Sequence, residues 1–121
     1  MSRAHNILVV DDERNVRATL KSVLEDEGYG VRTVSSGEEA IKAAKRFHPD
    51  LILLDIWLPG IDGLEVLEKL ADTDNNSVVV MISGHGSVES AVRATKLGAF
   101  DFIEKPLSLD RVLLVVANGL K

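Results

Sequence analysis

The residues able to do chemistry together in this sequence are the adjacent acids Asp11 and Asp12, with Glu13 beside them, and then Asp55, Ser83 and Lys105. Taken singly, each reads as a solvated charge or a helix cap, and Asp12 and Glu13 would favour a helix N-terminus through the macrodipole. What joins them is position: each closes or directly follows a short apolar run. Two or three carboxylates drawn together repel one another, so the cluster calls for a cation. All-oxygen ligation selects Mg²⁺, or Mn²⁺, over zinc or copper. The Lys105 ammonium and the Ser83 hydroxyl then suit phosphate oxygens. A metal, a cation and a donor are the equipment of phosphoryl transfer, in which charge on the transferred oxygens must be offset and little covalent work is left to the protein.

The elements that must position these residues are legible in the same runs. Asn6 to Asp11, Leu51 to Asp55 and Val78 to Ser83 are continuously apolar and end in a polar residue. Runs without alternation are strands covered on both faces, as in a parallel sheet. Val31 to Val34 alternates as an edge strand does, and Ala99 to Glu104, carrying Phe100, Phe102 and Ile103, is a further strand candidate. Helical spacing fills the gaps. Val16, Leu20, Val23 and Leu24 form one stripe, with Gly28 placed as its C′ residue. Ser36 with Glu39, and Asp62 with Glu65, read as capping boxes ahead of Ala40, Ile41, Ala44 and of Val66, Leu67, Leu70. Ser87 and Ser108 are candidate N-caps for two more helices, the last with a stripe of Leu109, Val112, Leu113, Val116 and Leu120. Leu114 and Val115 fall outside that stripe and read equally as a partner surface or as part of a wide buried stripe at a crowded sheet face. The pattern is βα repeated about five times. Right-handed crossovers pack such a chain as an open, doubly wound α/β sheet, of which the flavodoxin-like order is one common form, with ligands at the carboxyl ends of the strands.

Composition bounds the rest. The chain has 121 residues, 45% apolar and 27% charged, as expected of one soluble globular domain and too short for a second. With 14 Lys and Arg against 19 Asp and Glu, the net charge of −5 has the wrong sign for unaided binding to nucleic acid or anionic lipid. There is no cysteine, so disulfides, thiolate metal sites and cysteine nucleophiles are excluded. No apolar run approaches the roughly 20 residues of a membrane span, and no signal-peptide core precedes the first strand, so a cytoplasmic location is expected.

The segments ILVVDDE, LILLDIWLPGIDGLEVL, VVVMISGHGSVESAV and GAFDFIEKPLSLDRVL resemble the four signature segments of response regulator receivers. Their order and spacing match over nearly the whole chain. Within that family, GHG after Ser83 and the wording DFIEKPLSLDRVL are most similar to receivers of the NtrX and NtrC type nitrogen-regulatory sigma-factor activators. The resemblance implies a three-layer (βα)5 sheet in the order 2-1-3-4-5, spanning residues 1–121 as the N-terminal part of a longer regulator. It implies Asp55 as phosphoacceptor, Asp12 as a direct Mg²⁺ ligand, Asp11 acting through water, and the Trp57 backbone carbonyl as a further ligand. It makes Ser83 and Lys105 the phosphoryl contacts, Ser83 and Phe102 the switch pair, and Lys105-Pro106 a cis peptide. The partners implied are a sensor histidine kinase, an output domain, and a second copy through the fourth helix, fifth strand and fifth helix.

Such a domain is a signalling phosphoacceptor that supports its own phosphorylation and autodephosphorylation, with transcription regulated elsewhere in the parent protein. A non-phosphorylated pseudo-receiver is the alternative, although every signature position is filled. An aspartyl-phosphate phosphatase would want an Asp-x-Asp pair after the first strand, where this chain has adjacent acids. A nucleotide- or flavin-binding module would want a glycine-rich loop there. Read from periodicity alone, Phe102 is a core aromatic. Trp57 could be a lid, a partner contact or a packed ring. His85 reads as a solvated loop residue, and His5 and His48 as structural.

Overall fold

The computed structural model describes residues 4–72, 76–84 and 88–121. Five strands alternate with five helices: β1 (Asn6–Val10), α1 (Arg14–Asp26), β2 (Gly30–Val34), α2 (Gly37–Phe47), β3 (Leu51–Asp55), α3 (Gly63–Ala71), β4 (Val78–Ser83), α4 (Val88–Lys96), β5 (Asp101–Glu104) and α5 (Leu109–Gly119). All strand pairs are parallel, in the order β2-β1-β3-β4-β5, as expected from the resemblance. The continuous apolar runs have the predicted cause. Alternate residues of the central strands feed two separate cores. Leu8, Val10, Ile52, Leu54, Val79 and Met81 pack with α2, α3 and Ala94 of α4. Ile7, Val9, Leu51, Leu53, Val80 and Ile82 pack with α1 and α5.

Local chemistry sets the helix ends. Ser36, Asp62 and Ser108 accept bonds from the amides of Glu39, Glu65 and Arg111, three residues on, and so begin α2, α3 and α5. Gly28, at φ +91°, ends α1: the Tyr29 and Gly28 amides return to the Leu24 and Glu25 carbonyls, and that left-handed turn is what glycine allows. The proposed cap Ser87 lies outside the described residues.

Two expectations are corrected. The last strand starts at Asp101 rather than Ala99, because the Ala99 amide bonds back to the Ala94 carbonyl and closes the end of α4. In α5 the buried residues are Val112, Val115 and Val116, so Val115 belongs to the core and only Leu114, 58% exposed, faces outward. Apolar residues cover more than half of this helix's circumference, which leaves its rotation undetermined by periodicity; packing against α1 and the sheet selects the face.

Candidate functional site

Every strand end named as chemically informative lies at the carboxyl edge of the sheet. Asp11 and Asp12 follow β1, Asp55 ends β3, Ser83 ends β4, and Lys105 follows β5. Asp55 is paired in register with Ile82, and Ser83 with Glu104, so β4 links the acidic side of the edge to the lysine side. The Lys105 amide donates to the Ser83 carbonyl at 2.8 Å, and the Lys105-Pro106 peptide is cis.

Asp11 is fully buried and anchored on several sides. Its Oδ1 accepts from the Glu13 amide at 2.8 Å, and its carbonyl accepts from Nη1 of Arg17, one turn into α1, at 2.8 Å. Asp55 has a nearly buried carboxylate whose Oδ1 accepts from the Trp57 amide at 3.2 Å. Asp12 is exposed at the rim. Oxygens of Asp11, Asp12 and Asp55 all lie within 4.8 Å of one another.

The Lys105 ammonium reaches into this cluster, 2.8 Å from Oδ2 of Asp11, 3.2 Å from Oδ2 of Asp55 and 3.2 Å from Oε1 of Glu13. Burial would lower its pKa, but contacts with Asp11, Asp55 and Glu13 outweigh that and hold it above the usual lysine value. Asp55 shows the opposite balance. Burial first, then the Asp11 charge, push its carboxyl up to about 6, against the pull of Lys105 and the Trp57 amide. Oδ2 of Asp11 has no aligned hydrogen-bond donor, only the off-axis approach of that ammonium. Crowded carboxylates that share one ammonium fit a hard divalent cation, and the all-oxygen donor set fits Mg²⁺.

The loop after β3 is tied down from two sides. A Cβ on Gly63 would collide with the Asp55 carbonyl, so only glycine lets α3 start this close to the phosphoacceptor candidate; the Gly63 amide donates to the Ile56 carbonyl at 2.7 Å. From α2, the Glu38 carboxylate accepts from the Ile61 amide at 3.2 Å, and this bond, after that of its own amide, holds its pKa below the usual range. Sequence reasoning missed Glu38, whose offset of 23 residues from Ile61 carries no local signal. It noticed Glu13 but not the link to Lys105, which depends on the sheet bringing β1 and β5 ends together.

Trp57 stands beside Asp55 with 54% of its surface exposed, which favours a rim position over a packed ring. Ser83 is wholly buried. Phe102 is half-buried, packs against the core with Ala94, and lines a groove of about 490 Å³ with Val88, Ala91, Val92, Thr95 and Lys96 of α4. His85 lies outside the described residues. His48 ends α2 in the left-handed region, at φ 51°, a structural place as expected. No helix among the described residues is long and apolar enough to cross a membrane.

Comparison with known proteins agrees with this geometry. The family profile for the response regulator receiver domain matches residues 7–117. The nitrogen assimilation regulatory protein NtrX of Azorhizobium caulinodans is 46% identical over 120 residues, which cover 98% of this chain and 26% of that protein. The crystal structure of the NtrX receiver domain from Brucella abortus is 46% identical with a TM-score of 0.87, covering 94% of this chain and 97% of that one. A beryllofluoride-activated NtrC4 receiver domain dimer, solved in solution, is 41% identical with a TM-score of 0.89, covering 95% of each chain. The chain spans about a quarter of the length of the curated NtrX regulators it matches. On the fold, the clustered strand ends and the match over residues 7–117, the chain belongs to the response regulator receiver domain family.

Proposed function

We propose that Asp55 accepts a phosphoryl group from a sensor histidine kinase and that the resulting acyl phosphate switches the domain. The observation that carries this is the Asp55 carboxylate itself. It is nearly buried, crowded by Asp11 and Asp12, and contacted by the only ammonium that reaches all the way into the cluster among the described residues. Asp11, Asp12, Asp55 and the Trp57 carbonyl would hold Mg²⁺, with Mn²⁺ as a substitute. When bound, the ion neutralises the carboxylates and offsets charge on the phosphoryl oxygens.

This chain's own residues do the rest. An oxygen of Asp55 forms a bond to phosphorus as the phosphorus–nitrogen bond of a phosphohistidine breaks, and the electron pair leaves with the imidazole nitrogen. Lys105 turns from the carboxylates to a phosphoryl oxygen. The Ser83 hydroxyl donates to another, drawing the end of β4 inward and changing the packing of Phe102 against α4. Attack of water on phosphorus releases phosphate and restores the Asp55 carboxylate, so the domain takes part in its own phosphorylation and autodephosphorylation while remaining a signalling substrate.

The chain would form the N-terminal part of a longer cytoplasmic regulator whose output domain acts on transcription, as the names of its relatives suggest for them. The face made by α4, β5 and α5 is the candidate surface for that output domain or for a second copy, with Val88 and Val92 of α4, Leu114 of α5 and Phe100 just before β5 exposed. Intact-mass spectrometry after incubation with acetyl phosphate and Mg²⁺ tests the assignment. One phosphoryl group is expected on the wild type and none on Asp55→Asn; undiminished stable incorporation in the variant would remove Asp55 from the role.

A further inference from the structure

Lys105 is shared among three carboxylates, but those three are not equivalent. Asp11 and Asp55 belong, with Asp12, to the set whose oxygens converge closely enough to hold one ion; among the described residues Glu13 is outside that set. Glu13 is the N-cap residue of α1, yet its side chain makes no capping bond. It reaches Lys105 instead, with 60% of the side chain exposed, while its amide is fastened to Asp11 Oδ1. The residue is thus held to the acidic pocket by its backbone and to the lysine by its carboxylate.

A divalent cation among Asp11, Asp12 and Asp55 and an ammonium 2.8 and 3.2 Å from two of those same carboxylates repel one another. One of them must give way. Lys105 can leave Asp11 and Asp55 and still keep a carboxylate, because Glu13 lies outside the ion's ligand set. The geometry points to Glu13 as a positioning residue that acts through Lys105: it is the seat to which the ammonium withdraws when the cation enters, and from which it turns toward an anionic group on Asp55. This rests on the metal pocket assigned above. Without Glu13, Lys105 stays on Asp11 and Asp55 and competes more strongly with the ion.

The test is a double-mutant cycle on Mg²⁺ affinity, measured by calorimetry on the wild type, Glu13→Gln, Lys105→Met and the double variant. Lys105→Met should bind Mg²⁺ more tightly, since a competing cation is gone. Glu13→Gln should weaken binding roughly fivefold in the wild-type background, the size expected of one exposed ion pair. In the Lys105→Met background the same change should cost less than about twofold. Equal losses in both backgrounds would mean that Glu13 acts only through its bulk field, and would overturn the proposal while leaving the pocket intact. A wild type that binds no Mg²⁺ would overturn the pocket and the proposal together. Lys105→Gln repeats the cycle should Lys105→Met fail to fold. A third measurement needs no lysine variant: the Lys105 ammonium nitrogen signal, followed by NMR at saturating Mg²⁺, where the ion has displaced the ammonium from Asp11 and Asp55 in both proteins, should stay protected from solvent exchange in the wild type and lose protection in Glu13→Gln. Loss in both proteins would equally overturn the role of Glu13.

Discussion

Asp55→Asn should make this domain more stable at neutral and alkaline pH while abolishing its phosphorylation. The folded chain holds the Asp55 carboxyl at about 6, against an ordinary value of 3.8, because burial and the Asp11 charge disfavour the ionised form. The folded state therefore binds a proton that the unfolded chain has already released. No stability is lost to this group below pH 3.8; the loss grows as pH rises toward 6 and is complete somewhat above it. Across that interval the linkage amounts to about 3 kcal/mol as an upper figure, at about 1.4 kcal/mol per pH unit. Asparagine keeps the volume and an acceptor for the Trp57 amide but is never charged. A gain of about 2 kcal/mol at pH 8 without Mg²⁺ is expected, or about 8 °C in Tm for a domain of this size. Urea denaturation of both proteins from pH 4 to pH 8 measures it. The two curves should meet near pH 4 and part as pH passes 6, and Mg²⁺ should narrow the gap by stabilising the wild type by mass action. A variant no more stable than wild type at pH 8, or a gap independent of pH, would refute the assignment of strain to ionised Asp55.

Asp12→Ala should lose the Mg²⁺-induced fluorescence change of Trp57, the only tryptophan, which the wild type should show in a simple titration. Ser83→Ala should still accept phosphate on Asp55, but NMR shifts around Phe102 on phosphorylation should shrink, since the hydroxyl proposed to couple them is gone. Gly63→Ala should lower stability by about 2 kcal/mol or more in urea denaturation, because the added Cβ meets backbone that cannot yield without displacing Asp55. Leu114→Glu should leave circular dichroism and Tm nearly unchanged, whereas Val115→Glu should unfold the domain by burying an unpaired charge.

The strands that carry the site were legible because parallel strands covered on both faces are continuous apolar runs. Leu51–Asp55 and Val78–Ser83 fall where the residues predict. The caps Ser36, Asp62 and Ser108 were legible for a related reason, since each is satisfied three residues away. The orientation of α5 was not, because Leu113, Leu114 and Val115 are all apolar and only their tertiary neighbours distinguish them. The links Glu13–Lys105 and Glu38–Ile61 were equally hidden: they are made by elements distant in sequence, and an exposed glutamate carries no mark of its partner.

The two cores hold their helices with unequal grip. Val112, Val115 and Val116 fasten α5, and Val66, Leu67 and Leu70 fasten α3, whereas Ala94 is the only buried side chain among the described residues of α4. One buried methyl group, with Leu97 and Phe102 partly buried beside it, anchors that helix, where three alanines hold α2 and larger apolar chains hold α1, α3 and α5, so among the described residues α4 has the smallest fully buried anchor. On the proposed switch, a Ser83 hydroxyl drawn toward the phosphoryl group at the end of β4 would not shear the sheet, whose central strands are covered on both faces. It would instead shift α4, which is held by Ala94 with Leu97 and Phe102 packed against the same core. Under that proposed switch, the sheet would act as a stiff plate and α4 as a flap, and work done at the carboxyl edge would be delivered to that flap.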